Sequence, residues 1–260
     1  MKKKSSKKYA QFKIPKLGKK HLPCAVVLLL VLYLIFAYNY FYYVQRSADI
    51  PWPDNQHIYN FDSSADPGSL YVAVGDSLTY GFGADKYEDG YTYMLASRLA
   101  EDRKTARLKD YSYPGFRTDD VIKQLDLIIA EQPQIITVFI GINDAHQILE
   151  TSDFKANYDY ILNKLSSETN AEIYAINLPY LGALAIQLPP YNFYYGNKLK
   201  NHNEIIKSLA EKYNVSYIDL YTPTAKKFSR SGPYYSRDSF HPSSSGYKIW
   251  GRIIEDAISN

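Results

Sequence analysis

Three side chains in this sequence have the types needed for nucleophilic chemistry at a carbonyl carbon. Ser77 follows a short apolar segment, and Asp238 and His241 stand three residues apart near the C-terminus. A serine hydroxyl becomes a good nucleophile when a base takes its proton, and histidine is the usual base. The histidine in turn needs an acceptor that fixes its tautomer. The sequence therefore predicts acyl chemistry in which Ser77 attacks, His241 acts as the base and Asp238 orients His241.

Two further segments could donate hydrogen bonds to the oxyanion of a tetrahedral intermediate. Gly115 could present an unobstructed backbone N–H, and Asn143 could present a side-chain amide. The backbone N–H of Ser77 would complete such an oxyanion hole. We therefore expect Ser77, Gly115 and Asn143 to surround the same point in space.

Each of these segments also has an ordinary structural explanation. Gly115 follows Pro114, as is typical of a turn, and Asn143 could cap a helix. Asp238 and His241 could form a surface cap before the last helix. Taken singly, none of the segments establishes a function, so their predicted positions in the fold decide between the two interpretations.

From residue 70 onward, short apolar segments alternate with segments of helical spacing. The predicted strands are residues 70–74, 108–111, 134–140, 172–177 and 215–220. The predicted helices are residues 91–103, 119–130, 154–166, 200–212 and 244–258. This alternation predicts an α/β fold with a doubly wound sheet of about five parallel strands, in the flavodoxin-like order 2-1-3-4-5. Ligands of such sheets bind beyond the carboxyl ends of the strands, where all the segments above are expected to converge.

The segments resemble, in order and spacing, the four motif blocks of the SGNH, or GDSL, hydrolases, which are serine esterases and lipases with a flavodoxin-like fold. The four segments are Gly-Asp-Ser-Leu at 75–78, Pro-Gly-Phe-Arg-Thr at 114–118, Gly-Ile-Asn-Asp at 141–144 and Asp-Ser-Phe-His-Pro at 238–242. Residues 75–79 lack the Gly-x-Ser-x-Gly elbow, which argues against the α/β-hydrolase fold. The second block departs from the family pattern, because Asp110 and Ser112 replace the usual Asn and Gly.

The resemblance extends from residue 70 to the C-terminus and implies a role for each block. It implies that Ser77, Asp238 and His241 form the catalytic triad. It also implies that Ser77, Gly115 and Asn143 form the oxyanion hole. We see no metal-ligand cluster and no phosphate-binding Gly-rich loop, so we expect neither a metal nor a cofactor.

The N-terminal region has a different composition. The first 20 residues hold nine lysines and no acidic residue, so the net charge of +3 becomes −6 for residues 21–260, which gives a nucleic-acid partner no electrostatic support there. A segment without charged residues follows and is long enough to cross a membrane as a helix. Lysines before it and tyrosines after it predict a cytoplasmic N-terminus and an extracytoplasmic C-terminal domain, which is compatible with a bacterial surface.

Four regions are therefore predicted. They are a basic cytoplasmic tail at 1–21, a transmembrane signal-anchor helix at 22–45, a stem at 46–69 and an SGNH hydrolase domain at 70–260. A cleaved signal peptide is the alternative to the anchor, but no good small-x-small cleavage site follows the apolar core. The single cysteine, Cys24, excludes an intramolecular disulfide.

The leading functional hypothesis is a membrane-anchored extracytoplasmic serine esterase or lipase that hydrolyses acyl or acetyl esters. Its partners would be the membrane and a small-molecule, lipid or glycan ester. The alternatives are an O-acyltransferase or deacetylase that acts on cell-surface glycans, and a non-catalytic binding module. The aromatic segment 178–196, a predicted loop, could form an acyl pocket, a sugar-stacking wall, a lid or a flap over the fourth strand.

Overall fold

The structure is a computed structural model that describes residues 22–47, 50, 52–61, 69–102, 105–146, 150–180, 188–189, 191–228 and 233–259. The chain divides into two units, residues 1–39 and 40–260. Helix α1 (Leu22–Ser47) begins in the first unit, and its residues Leu22–Tyr40 have a mean hydropathy of 2.3. This span is long and apolar enough to cross a membrane, so the anchor is a candidate. The role of α1 and the predicted domain boundaries stay predictions.

The second unit is built on a six-stranded sheet. The strands are β1 (Ile58–Asn60), β2 (Leu70–Gly75), β3 (Arg107–Ser112), β4 (Ile135–Phe139), β5 (Glu172–Ile176) and β6 (Ser216–Ile218). Their order is β1-β3-β2-β4-β5-β6, and β2 to β6 pair in parallel. The five parallel strands therefore have the predicted order 2-1-3-4-5, and the predicted α/β fold is confirmed.

Strand β1 was not predicted, because it lies within residues 46–69, which the sequence analysis assigned to a stem. It pairs antiparallel with β3, with Ile58 opposite Lys109 and Asn60 opposite Arg107. The strand has only three residues and no apolar alternation of its own, so its pairing partner rather than local sequence determines it. At least residues 58–60 of the predicted stem therefore belong to the sheet.

The helices of this unit lie mostly where helical spacing predicts them. They are α2 (Ser77–Tyr80), α3 (Tyr91–Glu101), α4 (Thr118–Ile122), α5 (Leu125–Ala130), α6 (Ile142–His146), α7 (Thr151–Glu168), α8 (Tyr191–Tyr213), α9 (Tyr221–Lys227) and α10 (Ser244–Ser259). The single helix predicted at 119–130 is two short helices, α4 and α5. Helix α8 begins at Tyr191 instead of residue 200, so the end of the predicted loop 178–196 is helical; residues 181–187 and 190 lie outside the described part.

The central strands position the serine. All six residues of β2 and all five of β4 are buried, as expected for strands covered by helices on both faces. A Cβ atom on Gly75 would lie 2.0 Å from Oγ1 of Thr79 and 2.6 Å from the carbonyl oxygen of Phe139. Only glycine fits this contact, which lets helix α2 begin directly at the carboxyl end of β2. Ser77 is therefore held at the centre of the sheet edge.

Candidate active site

Ser77 is the first residue of helix α2. Asp76 caps this helix, and one of its carboxylate oxygens accepts a hydrogen bond from the backbone N–H of Leu78 at 2.9 Å. The Ser77 side chain is almost buried, with 4% of its surface exposed. The turn from strand to helix thus presents one hydroxyl at the place where the sequence analysis expected it.

The loop before α10 brings an imidazole to this hydroxyl. His241 Nε2 lies 2.9 Å from Ser77 Oγ, and His241 Nδ1 lies 2.5 Å from Asp238 Oδ2. The other carboxylate oxygen of Asp238 accepts the backbone N–H groups of Phe240 and His241, each at 3.0 Å. With its proton on Nδ1, donated to the carboxylate, the ring leaves Nε2 free to accept the serine hydroxyl proton.

Gly115 and Asn143 line the same pocket as Ser77 and His241. The pocket has a volume of about 240 Å³ and is lined by Ser77, Phe82, Pro114, Gly115, Asn143, His146, Phe240 and His241. Gly115 has φ +88°, a left-handed conformation that favours glycine, and no atom lies within 4 Å of the position that a Cβ would take. Four of the five predicted site residues thus line one cavity, and the fifth, Asp238, contacts the cavity residue His241.

A buried carboxylate links the loop that carries Gly115 to helix α6, which carries Asn143. Asp144 accepts the Thr118 hydroxyl at 2.5 Å and the Thr118 backbone N–H at 3.2 Å. Burial raises the pKa of Asp144, and the hydrogen bonds from Thr118 oppose that rise. Asn157 donates a further hydrogen bond to the Thr118 hydroxyl at 3.0 Å. These bonds tie the start of α4 to α6.

The carboxyl group of Asp76 is buried beneath the serine. Desolvation raises its pKa to about 7, helped by the nearby charge of Asp144 and opposed by the backbone N–H groups of Leu78, Gly141 and Ile142. Near neutral pH this carboxyl group therefore gains or loses a proton. Its backbone hydrogen-bond donors belong to the first and third motif blocks.

Comparison with known proteins gives the family. The model of the GDSL-like lipase/acylhydrolase family matches residues 73–249, which is more than half of the chain. The chain belongs to this family. The resemblance noted in the sequence is thereby confirmed, and this GDSL hydrolase is a serine ester hydrolase.

Among curated proteins, the spore germination lipase LipC of Bacillus licheniformis is 27% identical over 211 residues, which cover 72% of this chain and 95% of LipC. Two solved structures share the fold of this GDSL hydrolase. The lipase/acylhydrolase from Enterococcus faecalis has a TM-score of 0.59 at 22% identity, covering 73% of this chain and 95% of that one. The acetylxylan esterase Axe2 from Geobacillus stearothermophilus has a TM-score of 0.61 at 17% identity, covering 78% and 97%.

His146, which follows the third motif block and could from the sequence be either a pocket residue or a loop residue, lines the pocket of this GDSL hydrolase. Its ring packs on Tyr195 with a centroid distance of 4.6 Å and against Phe240 at 4.8 Å. Burial, together with the charges of the neighbouring His241 and Lys198, lowers the pKa of His146 to about 4. The imidazole is therefore neutral at physiological pH. The spacing of three from Asn143 on one short helix was the available signal.

Aromatic rings around His241 are a feature that the sequence did not reveal. Phe82 packs edge-on against the His241 ring with a centroid distance of 4.7 Å, and Phe240 does so at 4.9 Å. Trp52, which comes from the predicted stem, contacts Phe82 in turn at 4.8 Å. Among the described residues of this GDSL hydrolase, no group of three or more His, Cys, Asp and Glu side chains could hold a metal ion.

Proposed function

We propose that the protein is a membrane-anchored extracytoplasmic esterase that hydrolyses carboxylic esters through Ser77, His241 and Asp238. The observation that carries the proposal is the position of the His241 imidazole, 2.9 Å from the Ser77 hydroxyl and 2.5 Å from the Asp238 carboxylate. A hydroxyl, an imidazole and a carboxylate in this chain of hydrogen bonds can activate the serine and stabilise the imidazolium that forms.

Each step of the reaction uses a group in the pocket. Ser77 Oγ attacks the ester carbonyl carbon while its proton passes to His241 Nε2. The oxyanion accepts hydrogen bonds from the backbone N–H groups of Ser77 and Gly115 and from the Asn143 amide. The intermediate then expels the alcohol, which takes the proton from His241. Water, deprotonated by His241, then attacks the acyl-serine. The second tetrahedral intermediate breaks its bond to Ser77 Oγ, which takes the proton back from His241, and the carboxylic acid leaves.

The catalytic part of the proposal is tested with the full-length protein in detergent. A Ser77→Ala variant should lose nearly all hydrolysis of p-nitrophenyl acetate and all labelling by a fluorophosphonate probe. A Ser208→Ala variant serves as the control, because Ser208 is an exposed residue of α8 that does not line the pocket. Undiminished turnover by Ser77→Ala would exclude this mechanism.

The anchor is proposed from the composition of Leu22–Tyr40 and from the lysines before it. In bacterial cells, the protein should resist extraction by sodium carbonate, and protease added outside spheroplasts should degrade its C-terminal domain. Replacing both Leu29 and Val31 by arginine should prevent insertion, because each charge costs about 3 kcal/mol at the centre of a bilayer. A C-terminal domain that is protected in intact spheroplasts would contradict this topology.

A further inference from the structure

Trp52 presents an exposed ring beside the pocket in a fixed orientation. Its indole N–H donates to the Tyr80 hydroxyl at 3.2 Å, and its ring meets Tyr80 and Phe82 edge-on at centroid distances of 6.0 and 4.8 Å. The side chain is nevertheless 59% exposed. A large aromatic face is therefore held in place for contact with something other than the described part of the chain.

Tyr113 is a second exposed aromatic residue that contacts Tyr80. Its ring is 6.1 Å from that of Tyr80 and stacks on His57 at 6.3 Å with an interplanar angle of 7°. The side chain is 50% exposed, and its hydroxyl has no hydrogen-bond partner within the described residues. Tyr113 directly precedes Pro114 and Gly115, which line the pocket. Each of the two exposed rings thus neighbours a residue that lines the pocket.

Trp52 lies on the side of the pocket from which the alcohol part of an ester would leave. Trp52 contacts Phe82, and Phe82 both lines the pocket and packs against His241. In the proposed reaction His241 returns its proton to the leaving alcohol, so that alcohol must lie next to His241. A group larger than a few atoms on the alcohol would extend past Phe82 towards Trp52.

The chemistry of this surface fits a sugar. The C–H face of a pyranose packs on an aromatic ring, while its hydroxyls need polar groups nearby, such as the Tyr113 hydroxyl. A long acyl chain would need an apolar channel instead. Among the residues that the structure describes, the pocket lining holds no Leu, Ile, Val or Met, and the volume of about 240 Å³ suits a short acyl group.

We propose that Trp52 and Tyr113 form a carbohydrate-binding subsite that holds the alcohol part of the substrate. The natural substrate is then a short-chain acyl ester of a sugar. This inference rests on the proposed hydrolysis of esters at Ser77, but the binding of the sugar to the subsite can be measured without catalysis.

The binding test uses tryptophan fluorescence. The chain has two tryptophans, and Trp250 is fully buried, so Trp52 reports on the surface. Oligosaccharides of xylose, glucose and N-acetylglucosamine, with and without O-acetyl groups, are added to the full-length Ser77→Ala protein in detergent. At least one should change the emission in a saturable way, and the change should disappear in Ser77→Ala/Trp52→Phe. No saturable change with any of these probes would overturn the proposal.

The kinetic test compares two substrates in the active protein. Trp52→Ala and Tyr113→Ala should raise KM for the preferred acetylated oligosaccharide about five- to tenfold, the value of one lost aromatic contact. The effect on p-nitrophenyl acetate should be several-fold smaller, because that ester carries no sugar. Tyr160→Ala is the matched control, since Tyr160 is an exposed tyrosine of α7 that does not line the pocket.

The possible outcomes separate the hypotheses. Equal increases in KM for both substrates would overturn the proposed subsite. Trp52 would then serve only to hold Phe82 in place. A selective loss on p-nitrophenyl decanoate would also overturn it, because the surface would then bind acyl chains. If Ser77→Ala retains esterase activity while the fluorescence change still depends on Trp52, the proposed mechanism fails and the sugar-binding site stands.

Discussion

The Asn143 side-chain amide donates a hydrogen bond to the backbone carbonyl oxygen of Phe116 at 2.8 Å. A primary amide has two N–H donors, so one remains for the pocket that Asn143 lines. Phe116 directly follows Gly115. The loop that carries Gly115, one proposed oxyanion donor, therefore orients the side chain of Asn143, the other proposed donor. The two donors thus form one unit.

Asn143→Ala tests this unit. We expect kcat for p-nitrophenyl acetate to fall roughly 10²- to 10³-fold, because a side-chain donor to the oxyanion acts mainly in the transition state. KM should change far less. Steady-state kinetics give both values, and the thermal midpoint followed by circular dichroism shows whether the fold is retained. A folded variant with unchanged kcat would remove Asn143 from the proposed oxyanion hole.

Asp144→Ala should lower both stability and turnover. The change leaves the buried hydroxyl and backbone N–H of Thr118 without their acceptor, which costs about 2–4 kcal/mol of unfolding free energy. It also releases the loop of Gly115 from α6, so kcat should fall as well. Urea denaturation and ester kinetics measure the two effects.

Asp119→Ala is the control for this variant, because Asp119 is partly exposed and pairs with Arg117 at the surface. A surface pair contributes at most about 1 kcal/mol. Equal stability losses in the two variants would show that Asp144 does not brace the site.

The Asp76 carboxyl should make stability depend on pH. Its pKa of about 7 in the folded chain lies above the ordinary value of 3.8. The folded state therefore binds the proton more tightly, and stability from this group is greatest below pH 4 and is lost as the pH rises towards 7 and above. The difference amounts to at most about 4 kcal/mol.

Asp76→Asn removes this titration. Relative to the variant, the wild-type protein should lose unfolding free energy between pH 4.5 and pH 7.5, as measured by urea denaturation at several pH values. Asp126→Asn changes an exposed side chain, so its unfolding free energy should vary with pH as that of the wild type does. If the unfolding free energy of Asp76→Asn also varies with pH as that of the wild type does, Asp76 does not titrate in this range.

Buried parallel strands and motif order could be predicted because their signals are local. Strands β2 and β4 are continuous apolar runs, and each motif block follows a strand or lies in the last loop. The position of Trp52 beside Phe82 could not be predicted, because a single contact between residues far apart in the sequence produces no periodic pattern. The early start of α8 at Tyr191 was missed because aromatic residues have modest helix propensity, which tertiary contacts override.

Strand β1 also depends on contacts between residues far apart in the sequence, and the effect of these contacts on its stability can be tested. Asn55 donates a hydrogen bond to the buried carboxylate of Asp110 at 2.7 Å, across 55 residues of sequence, and Tyr87 donates another at 2.8 Å. Burial raises the pKa of Asp110, and these bonds oppose the rise. Asp110 is one of the two residues that depart from the family pattern, and its carboxylate helps to hold the segment leading into β1.

Asn55→Ala should cost about 1.5–3 kcal/mol of unfolding free energy, the value of a buried hydrogen bond to a charged group. It should also speed the exchange of amide hydrogens in Ile58–Asn60, which mass spectrometry can follow. Asp54→Ala is the neighbouring control, since that side chain is exposed. Unchanged exchange in Asn55→Ala would show that β1 is held by its pairing with β3 alone.

Because the His146 imidazole is neutral, it should not oppose the positive charge that the neighbouring His241 acquires during the reaction. Because burial lowers the pKa of His146 to about 4, the ring is neutral near pH 7 and places no second cation near His241 when that ring becomes an imidazolium. His146→Gln keeps this site neutral, so the acid limb of the pH profile of kcat/KM should stay at the same pH.

His146→Lys introduces a cation that disfavours protonation of His241. Its acid limb should therefore move to lower pH, and kcat should fall about tenfold, because the imidazolium of the transition state is repelled. Profiles of p-nitrophenyl acetate hydrolysis from pH 4.5 to pH 9 measure both variants against the wild type. Since Gln and Lys both remove the imidazole, a shift in the lysine variant alone isolates the effect of charge. An equal shift in both variants would mean that His146 itself titrates in the active range.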